Sequence, residues 1–176
     1  MPGGIPVWDA WVRVLHWSLV VAVATAWLTR HSPGRWHEWF GYGTLAIVAV
    51  RTVRGFIGSG HARFDDFIGP ASVTAAYARD VLNGREARFI GHNPLGAWMV
   101  VALLAMVALV GLSGWLYTTD RFWGVPWVER LHSTLSDLLL AFVALHILGV
   151  AFTSRRQREN LVAAMLHGRK RVSEEV

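Results

Sequence analysis

Four long apolar stretches, separated by polar segments, dominate the pattern of hydrophobic and polar positions. They run from about Val12 to Thr29, Trp39 to Ile57, Leu95 to Tyr117 and Leu135 to Phe152. Each has roughly the length that a helix needs to cross a hydrocarbon core of about 30 Å. Open strands cannot satisfy their backbone in lipid, so helices are expected. The pattern predicts an all-α integral membrane protein: a bundle of four transmembrane helices forming a single domain over residues 1–176.

The polar segment 58–94, between the second and third stretches, is predicted to contain a short helix. Pro70 precedes this helix and Asn83-Gly84 follows it, which brackets a helix over Ala71 to Leu82. We expect this helix to lie along the membrane surface.

The tail, residues 153–176, is rich in basic residues. Between Arg155 and Arg171, four apolar residues fall on one side of a helix: Leu161, Val162, Met165 and Leu166. This pattern favours an interfacial helix beside anionic lipid. A solvated basic tail explains the same charges equally well.

Composition supports the membrane class. Hydrophobic residues make up 53% of the chain and charged residues 16%, which is too apolar for an ordinary soluble domain. Several tryptophans lie near the ends of the apolar stretches, where amphipathic rings prefer the membrane interface. They are Trp8, Trp11, Trp36, Trp39, Trp123 and Trp127.

Missing residue types and motifs exclude several functions. The sequence has no cysteine, which excludes covalently attached haem, iron–sulfur clusters, thiolate metal sites and disulfides. It has no glycine-rich phosphate loop, no GxSxG and no HExxH, so common nucleotide-binding and hydrolase signatures are absent. The net charge is +5, but the basic residues flank the apolar stretches. We therefore predict no nucleic-acid partner.

The basic residues also predict an orientation. Thirteen of the seventeen Lys and Arg residues lie in the amino-terminal segment, around the 58–94 loop and in the tail. Two short loops hold the other four: Arg30, Arg35, Arg121 and Arg130. The positive-inside rule then places both termini, the loop and the tail on the cytoplasmic side of the membrane. We expect that membrane to be the inner membrane of a bacterium.

Four of the eight histidines lie inside or at the rims of the apolar stretches. His132 and His146 are fourteen residues apart, a rise of about 21 Å that returns to nearly the same helix face. In the predicted topology, His16 comes level with His146 and His37 comes level with His132. Two neutral imidazoles on neighbouring helices can ligate a haem iron from both sides. The depths therefore predict two non-covalent b haems, with ligand pairs His16/His146 and His37/His132.

The other four histidines are interpreted as interfacial hydrogen-bonding groups: His31, His61, His92 and His167. Four glycines would let helices approach a flat macrocycle, but they also serve ordinary helix packing, which is the interpretation we favour. They are Gly41 and Gly43 in the second stretch and Gly111 and Gly114 in the third.

Three arginines are candidates to bind haem propionates, because a guanidinium binds a carboxylate through two hydrogen bonds. Arg13 lies three residues before His16, on the same helix face. Arg51 and Arg54 lie at the inner end of the second stretch. Snorkelling to the membrane surface explains these last two equally well.

These motifs resemble the prokaryotic cytochrome b561 family, which includes the b-type cytochrome subunits of nickel–iron hydrogenases. The resemblance rests on Arg13-Val14-Leu15-His16-Trp17, on His37 followed by Gly41, and on LHSTLSDLLLAFVALH, which contains His132 and His146. The segments GHNPLGAWMV and NLVAAMLHGRKR are similar to the hydrogenase-cytochrome branch. The resemblance implies a four-helix core with two b haems on these four histidines.

The resemblance also implies electron transfer between the membrane quinone pool and another redox protein. We expect that partner on the periplasmic side. Hydrogenase cytochromes are commonly longer by one helix, so the identity of the redox partner stays open. A homo-oligomer is compatible with the sequence. A quinone headgroup needs a hydrogen-bond donor, for which His61, His92 and Arg51 are alternatives.

The sequence is compatible with two other functions. One is a stand-alone superoxide:quinone oxidoreductase, in which Arg30, Arg35 and Arg121 steer the anion towards the outer haem. The other is a non-redox membrane protein whose histidines bind a transported metal ion. Few carboxylates, such as Glu38 and Asp137, lie near the stretches, which makes an ion path hard to draw.

Overall fold

The computed structural model describes residues 4–58 and 63–171. Its helices are α1 (Ala10–Leu28), α2 (Trp36–Ile57), α3 (Phe64–Phe67), α4 (Ala71–Asn83), α5 (Pro94–Tyr117), α6 (Pro126–Arg156) and α7 (Leu161–His167). Within the described residues, four of them are long and apolar enough to cross a membrane, namely α1, α2, α5 and α6. The predicted all-α membrane fold with four spanning helices is confirmed.

The α6 helix departs most from its predicted limits. The apolar pattern ran from about Leu135 to Phe152, whereas the helix begins at Pro126 and ends at Arg156. Hydropathy detects the lipid-facing part of a helix and misses the polar turns that continue it into water. Pro126 suits the first helical position because its fixed φ is helical and its missing N–H needs no partner. His132 therefore lies in the second turn of α6, ahead of the apolar stretch.

The chain divides into two compact units, which are described separately. The histidine-pair unit comprises residues 14–53 and 102–144. In the terminal unit, the described residues are 4–13, 54–58, 63–101 and 145–171.

In the histidine-pair unit, segments of all four long helices pack around an apolar core centred on Val48, Val107 and Leu139. Gly111 on α5 lets this core close, because a Cβ there would lie 2.6 Å from the side chain of Leu45 on α2. Small residues permit such close approach between helices in a membrane. The core is completed by partly buried Leu19, Val23, Leu103, Leu104, Met106, Ala108, Val110 and Val143.

The terminal unit contains a feature that the sequence pattern did not predict. Two short strands, β1 (Ile5–Pro6) and β2 (Arg169–Lys170), pair in antiparallel fashion. The backbone N–H groups of Val7 and Trp8 extend the pairing by donating to the carbonyl of Gly168. Residues from the two ends of the described chain are therefore held together by main-chain hydrogen bonds.

The helix predicted between Arg155 and Arg171 is wrong in extent. Arg158 adopts a left-handed φ of 49° just after α6, and Asn160 then starts α7 by accepting a hydrogen bond from Ala163. Gly168, with a φ of 82°, ends α7 after seven residues. These local signals interrupt the helix, and the chain continues as β2.

The short helix predicted after Pro70 is confirmed, since α4 covers Ala71–Asn83. Gly84 ends it in the left-handed conformation, with its N–H directed to the carbonyls of Asp80 and Val81. The helix buries Tyr77 against the ring of Phe89, 5.5 Å away between ring centroids.

Ion pairs hold the terminal unit as well. The carboxylate of Glu159 is almost fully buried and accepts from Arg88 at 2.9 Å and from the backbone N–H of Arg171 at 2.7 Å. Arg156 pairs with Glu86 through two hydrogen bonds of 2.6 and 3.2 Å. The pKa of Glu86 is lowered, chiefly by a hydrogen bond from its own backbone and also by Arg156.

Candidate functional site

Two histidines that the sequence paired by depth lie next to each other in the histidine-pair unit. His37 is in the first turn of α2 and His132 in the second turn of α6, and both are half-buried. Their ring centroids are 5.9 Å apart, and the ring planes meet at 79°. The structure brings these two residues together, and their role as ligands stays a prediction.

A backbone carbonyl determines the tautomer of His37. Its Nδ1 lies 2.8 Å from the carbonyl oxygen of Ala26, which is on α1. A carbonyl only accepts, so Nδ1 must carry the proton and donate it. In a neutral ring this leaves Nε2 with a free lone pair, as a metal ligand requires.

His132 is held in the same tautomer by two acceptors on α5. Its Nδ1 lies 3.1 Å from the carbonyl oxygen of Val110 and 3.1 Å from the hydroxyl oxygen of Ser113. The Ser113 hydroxyl donates its own proton to Val110 at 2.9 Å, which turns its lone pairs towards the ring. His132 therefore also keeps Nε2 available as an electron-pair donor.

Gly114 makes room for the His132 ring. A Cβ on Gly114 would lie 2.9 Å from Cε1 of His132 and 3.3 Å from its Nδ1. Such a contact is shorter than side chains tolerate, so the ring occupies a recess that a larger residue would fill. Gly114 contributes to the histidine site, which goes beyond the general packing role expected from the sequence.

This arrangement fits joint ligation of one metal centre. Two imidazoles that share a metal through bonds of about 2 Å have ring centroids about 6 Å apart, close to the observed separation. Among residues 4–58 and 63–171, no cluster of three or more His, Asp or Glu side chains is arranged to hold a metal ion. A pair of histidines suits a haem iron, because the porphyrin supplies the remaining nitrogen ligands. The residues present therefore fit haem better than a bare ion.

The second predicted pair falls in different units. His16, on α1, belongs to the histidine-pair unit, and its ring contacts that of Trp17 edge-on at 5.1 Å. His146, on α6, belongs to the terminal unit and is half-buried. Their pairing stays a prediction.

The candidate propionate-binding arginines have protein partners. Arg13 donates from Nη1 to the carbonyl of Leu166. Arg54 pairs with Asp9 at 3.5 Å and lies 5.8 Å from the centre of the Trp11 ring. Arg51 is buried on α2, within a candidate span. A propionate would have to share Arg13 and Arg54 with these partners, and propionate binding stays a prediction.

Of the candidate quinone donors, His92 contacts two aromatic rings of the terminal unit. Its ring centroid is 4.6 Å from that of Trp8 and 4.6 Å from that of Phe67. His61 lies outside the described residues.

Arginines of the two short loops differ in their surroundings. Arg30 lies 4.1 Å over the Trp27 ring and donates to the Trp27 carbonyl at 2.8 Å, one residue beyond the Ala26 carbonyl that holds His37. Arg35 forms an ion pair with Glu38 at 2.8 Å. Arg121 lies 5.6 Å over the ring of Phe122.

Three residues that contribute to the histidine site were not predicted from the sequence. Ser113 gave a usable signal, since a polar residue between two glycines in an otherwise apolar span calls for an explanation. Ala26 and Val110 gave none, because they act through their backbone carbonyls. Tertiary packing alone decides which carbonyl faces an imidazole.

Comparison with known proteins yields one family. A sequence model described as prokaryotic cytochrome b561 matches residues 7–168, a stretch that includes both histidines of the close pair and the other two predicted ligands. No curated protein and no solved structure matches the chain significantly.

Proposed function

The chain belongs to the prokaryotic cytochrome b561 family, and we propose that it is a di-haem cytochrome carrying electrons between the quinone pool and a periplasmic redox partner. Family membership itself makes the chain a b-type haem protein of electron transfer. Beyond family membership, we propose the number of haems, the quinone, the redox partner and the orientation in the inner membrane.

The observation that carries the proposal is the His37–His132 pair. Both rings present Nε2 as an electron-pair donor, because acceptors hold the protons on Nδ1. Their separation of 5.9 Å suits a shared haem iron. A haem held in this way supplies reversible one-electron chemistry. The protein's own part is to fix the rings and to surround them with the apolar packing of α1, α2, α5 and α6.

The spacing of histidines on α6 supports the proposal of a second haem. His146 follows His132 by fourteen residues on one continuous helix, which corresponds to a rise of about 21 Å on nearly the same face. A single haem near one end of the spans would leave most of the roughly 30 Å hydrocarbon core uncrossed. A second haem ligated by His16 and His146 would divide this distance into shorter electron-transfer steps.

The charge distribution suggests which side of the membrane each haem serves. The close histidine pair lies near the short loops that follow α1 and α5, which carry few basic residues. The positive-inside rule assigns such loops to the periplasm. We therefore expect this haem to exchange electrons with a periplasmic protein and the His16/His146 haem to serve the quinone side.

Haem stoichiometry tests the proposal most directly. We expect the purified protein to contain two b haems per chain by reduced-minus-oxidised spectra and pyridine haemochrome. Separate His16→Ala, His37→Ala, His132→Ala and His146→Ala variants should each retain one haem. His31→Ala, in an exposed loop, is the matched control and should retain both. One haem in the wild type, or haem content indifferent to the four substitutions, would overturn the assignment.

The quinone step needs its own experiment. Protein in liposomes, mixed anaerobically with a short-chain quinol, should show reduction of both haems. In the His16→Ala and His146→Ala variants, reduction of the remaining haem should slow by at least tenfold, because the quinone-side haem is lost. Equal rates in these variants and the wild type would contradict the proposed order of the relay.

Arg30 favours a second candidate function, the superoxide:quinone oxidoreductase. Its guanidinium is held on the face of Trp27, beside the Ala26 carbonyl that binds His37. A fixed cation at this position would attract a small anion towards the haem of the close pair.

Superoxide generated at a controlled rate should then reduce the purified haems with no partner present. Reduction should slow several-fold at high salt and in an Arg30→Gln variant, but not in Arg63→Gln, an exposed arginine of the terminal unit. Absence of reduction by superoxide would eliminate this candidate and leave the relay.

A further inference from the structure

A buried serine on α5 contacts the imidazole of His132. Ser113 is 5% exposed and lies in a helix that is otherwise strongly apolar. We propose that Ser113 is a positioning residue: its hydroxyl holds the Nδ1 proton of His132, directs Nε2 to the haem iron and makes the ring a stronger ligand. This inference rests on the proposed function, since it requires His132 to be a haem ligand.

The hydrogen bonds define which atom gives and which receives. Serines within membrane helices commonly donate to a carbonyl one turn back, and Ser113 does so to Val110 at 2.9 Å. That bond uses the only proton on the hydroxyl. The oxygen can therefore only accept from Nδ1 of His132, 3.1 Å away. Ordinary back-bonding explains the first contact and leaves the second to be explained.

Ser113 and Val110 share the Nδ1 proton of His132. The Val110 carbonyl is also 3.1 Å from Nδ1, so the N–H group points between two acceptors. Gly114, one residue further along, provides the recess in which the ring lies. Neighbouring residues of α5 therefore position the His132 ring in three ways: a carbonyl and a hydroxyl accept its Nδ1 proton, and the absence of a side chain at Gly114 leaves room for the ring.

His37 offers an internal contrast. A backbone carbonyl, that of Ala26, accepts its Nδ1 proton at 2.8 Å, and no side-chain substitution removes a carbonyl. At His132, a side chain provides one of the two acceptors. The hydrogen bonding of this ring can therefore be altered by substitution while that of His37 is left in place.

The expected consequence is a change in redox potential. An acceptor for the distal N–H increases the basicity of a ligating imidazole. A more basic ligand stabilises the oxidised iron and lowers the reduction potential. Removal of the hydroxyl should thus raise the midpoint potential of the haem held by His132 and leave the other haem unchanged.

The experiment compares three variants by redox titration of the haem spectrum. Ser113→Ala removes the hydroxyl, and Ser113→Thr retains one. Ser136→Ala is the matched control, because Ser136 lies on α6 one turn from His132 and donates to its backbone carbonyl, not to its ring. We expect Ser113→Ala to raise one midpoint potential, and Ser113→Thr and Ser136→Ala to stay near the wild type.

Haem content separates the outcomes. Loss of one haem in Ser113→Ala but not in Ser113→Thr would also support the positioning role. An unchanged or lowered potential in Ser113→Ala, or an equal shift in Ser136→Ala, would overturn it. If His132→Ala retains both haems, the ligand assignment of the proposed function fails instead, independently of the serine result.

Discussion

The histidine-pair unit and the terminal unit are stabilised by different interactions. The first has an apolar core of aliphatic side chains, with hydrogen bonds to its two close histidines from α1 and α5. The second depends on a strand pairing and on buried ion pairs such as Arg88–Glu159. Apolar packing is tolerant of exchange among similar side chains, whereas a buried charge needs its particular partner. The comparison predicts local effects in the first unit and a weakening of the strand pairing in the second.

The largest expected effect comes from filling the recess beside His132. Gly114→Val would place side-chain atoms where the His132 ring lies, since even a Cβ would be 2.9 Å from Cε1. We expect haem content to fall from two to about one per chain while the helical circular dichroism stays unchanged.

Ala105→Val is the control for this substitution. Ala105 is an exposed residue of α5 in the same unit, nine positions before Gly114 and therefore on the opposite face of the helix. It should retain both haems. If Gly114→Val also retains both, the recess is not essential and the site is more tolerant than the structure implies.

A core substitution tests how far apolar packing holds the histidine-pair unit. Leu139→Ala removes one of the most buried side chains of the core and should cost about 2–4 kcal/mol of unfolding free energy. The neighbouring Leu138 is 46% exposed. Leu138→Ala should therefore cost well under half as much. Unfolding in mixed detergent micelles, followed by circular dichroism, measures both, and equal costs would show that the core does not dominate this unit.

The two units also differ in how much the sequence could predict. Four spans, the α4 helix and the meeting of His37 with His132 followed from hydropathy, turn residues and helical periodicity, which are local properties. The length of α6 was underestimated because its polar turns leave no hydropathy signal. The β1–β2 pairing joins residues from opposite ends of the chain. Glu159 and Lys170 are buried against partners more than sixty residues away in the sequence. No local pattern specifies such contacts.

Within the histidine site, the same distinction applies. The imidazoles of His37 and His132 were found because the predicted topology places them at the same depth. Their acceptors were not, because two are backbone carbonyls and the third, Ser113, is a small polar residue whose neighbour across the helix interface only the fold reveals.

A buried ion pair tests the terminal unit. Glu159→Gln keeps the shape of the side chain but removes the charge that Arg88 and the Arg171 N–H bind. Hydrogen bonds to charged groups are worth about 1.5–3 kcal/mol, so the pairing of β2 should weaken by that amount. Limited proteolysis within residues 159–171 should accelerate at least tenfold.

The control is an exposed ion pair of the same unit. Arg63 and Asp65 are 3.1 Å apart, and the Asp65 side chain is 78% exposed. Such surface pairs contribute about 0–1 kcal/mol. Asp65→Asn should leave the proteolysis rate of the tail near that of the wild type. Comparable rates in the two variants would mean that Glu159 does not anchor β2.

The smallest expected effect is a pH dependence from Lys170. Its Nζ donates to the carbonyl of Gly91 at 3.2 Å, and the side chain is buried. Burial lowers the pKa of Lys170 from its ordinary value of 10.5; Glu159 opposes that shift and Arg88 adds to it. Between the folded-state pKa and 10.5, the unfolded chain binds more protons than the folded one, so stability must rise with pH.

Protection of the tail against chymotrypsin, which does not cleave at lysine, should therefore increase as pH rises towards about 10, just below the ordinary lysine pKa of 10.5, once rates are normalised to an unfolded peptide. Burial raises the pKa of Tyr77 above 10.0, which opposes this trend only at higher pH. Lys170→Met should abolish the rise, whereas Arg169→Met, on the exposed neighbour in β2, should keep it. A rise that persists in Lys170→Met would show that another group titrates and that the buried amine is not what makes this unit sensitive to pH.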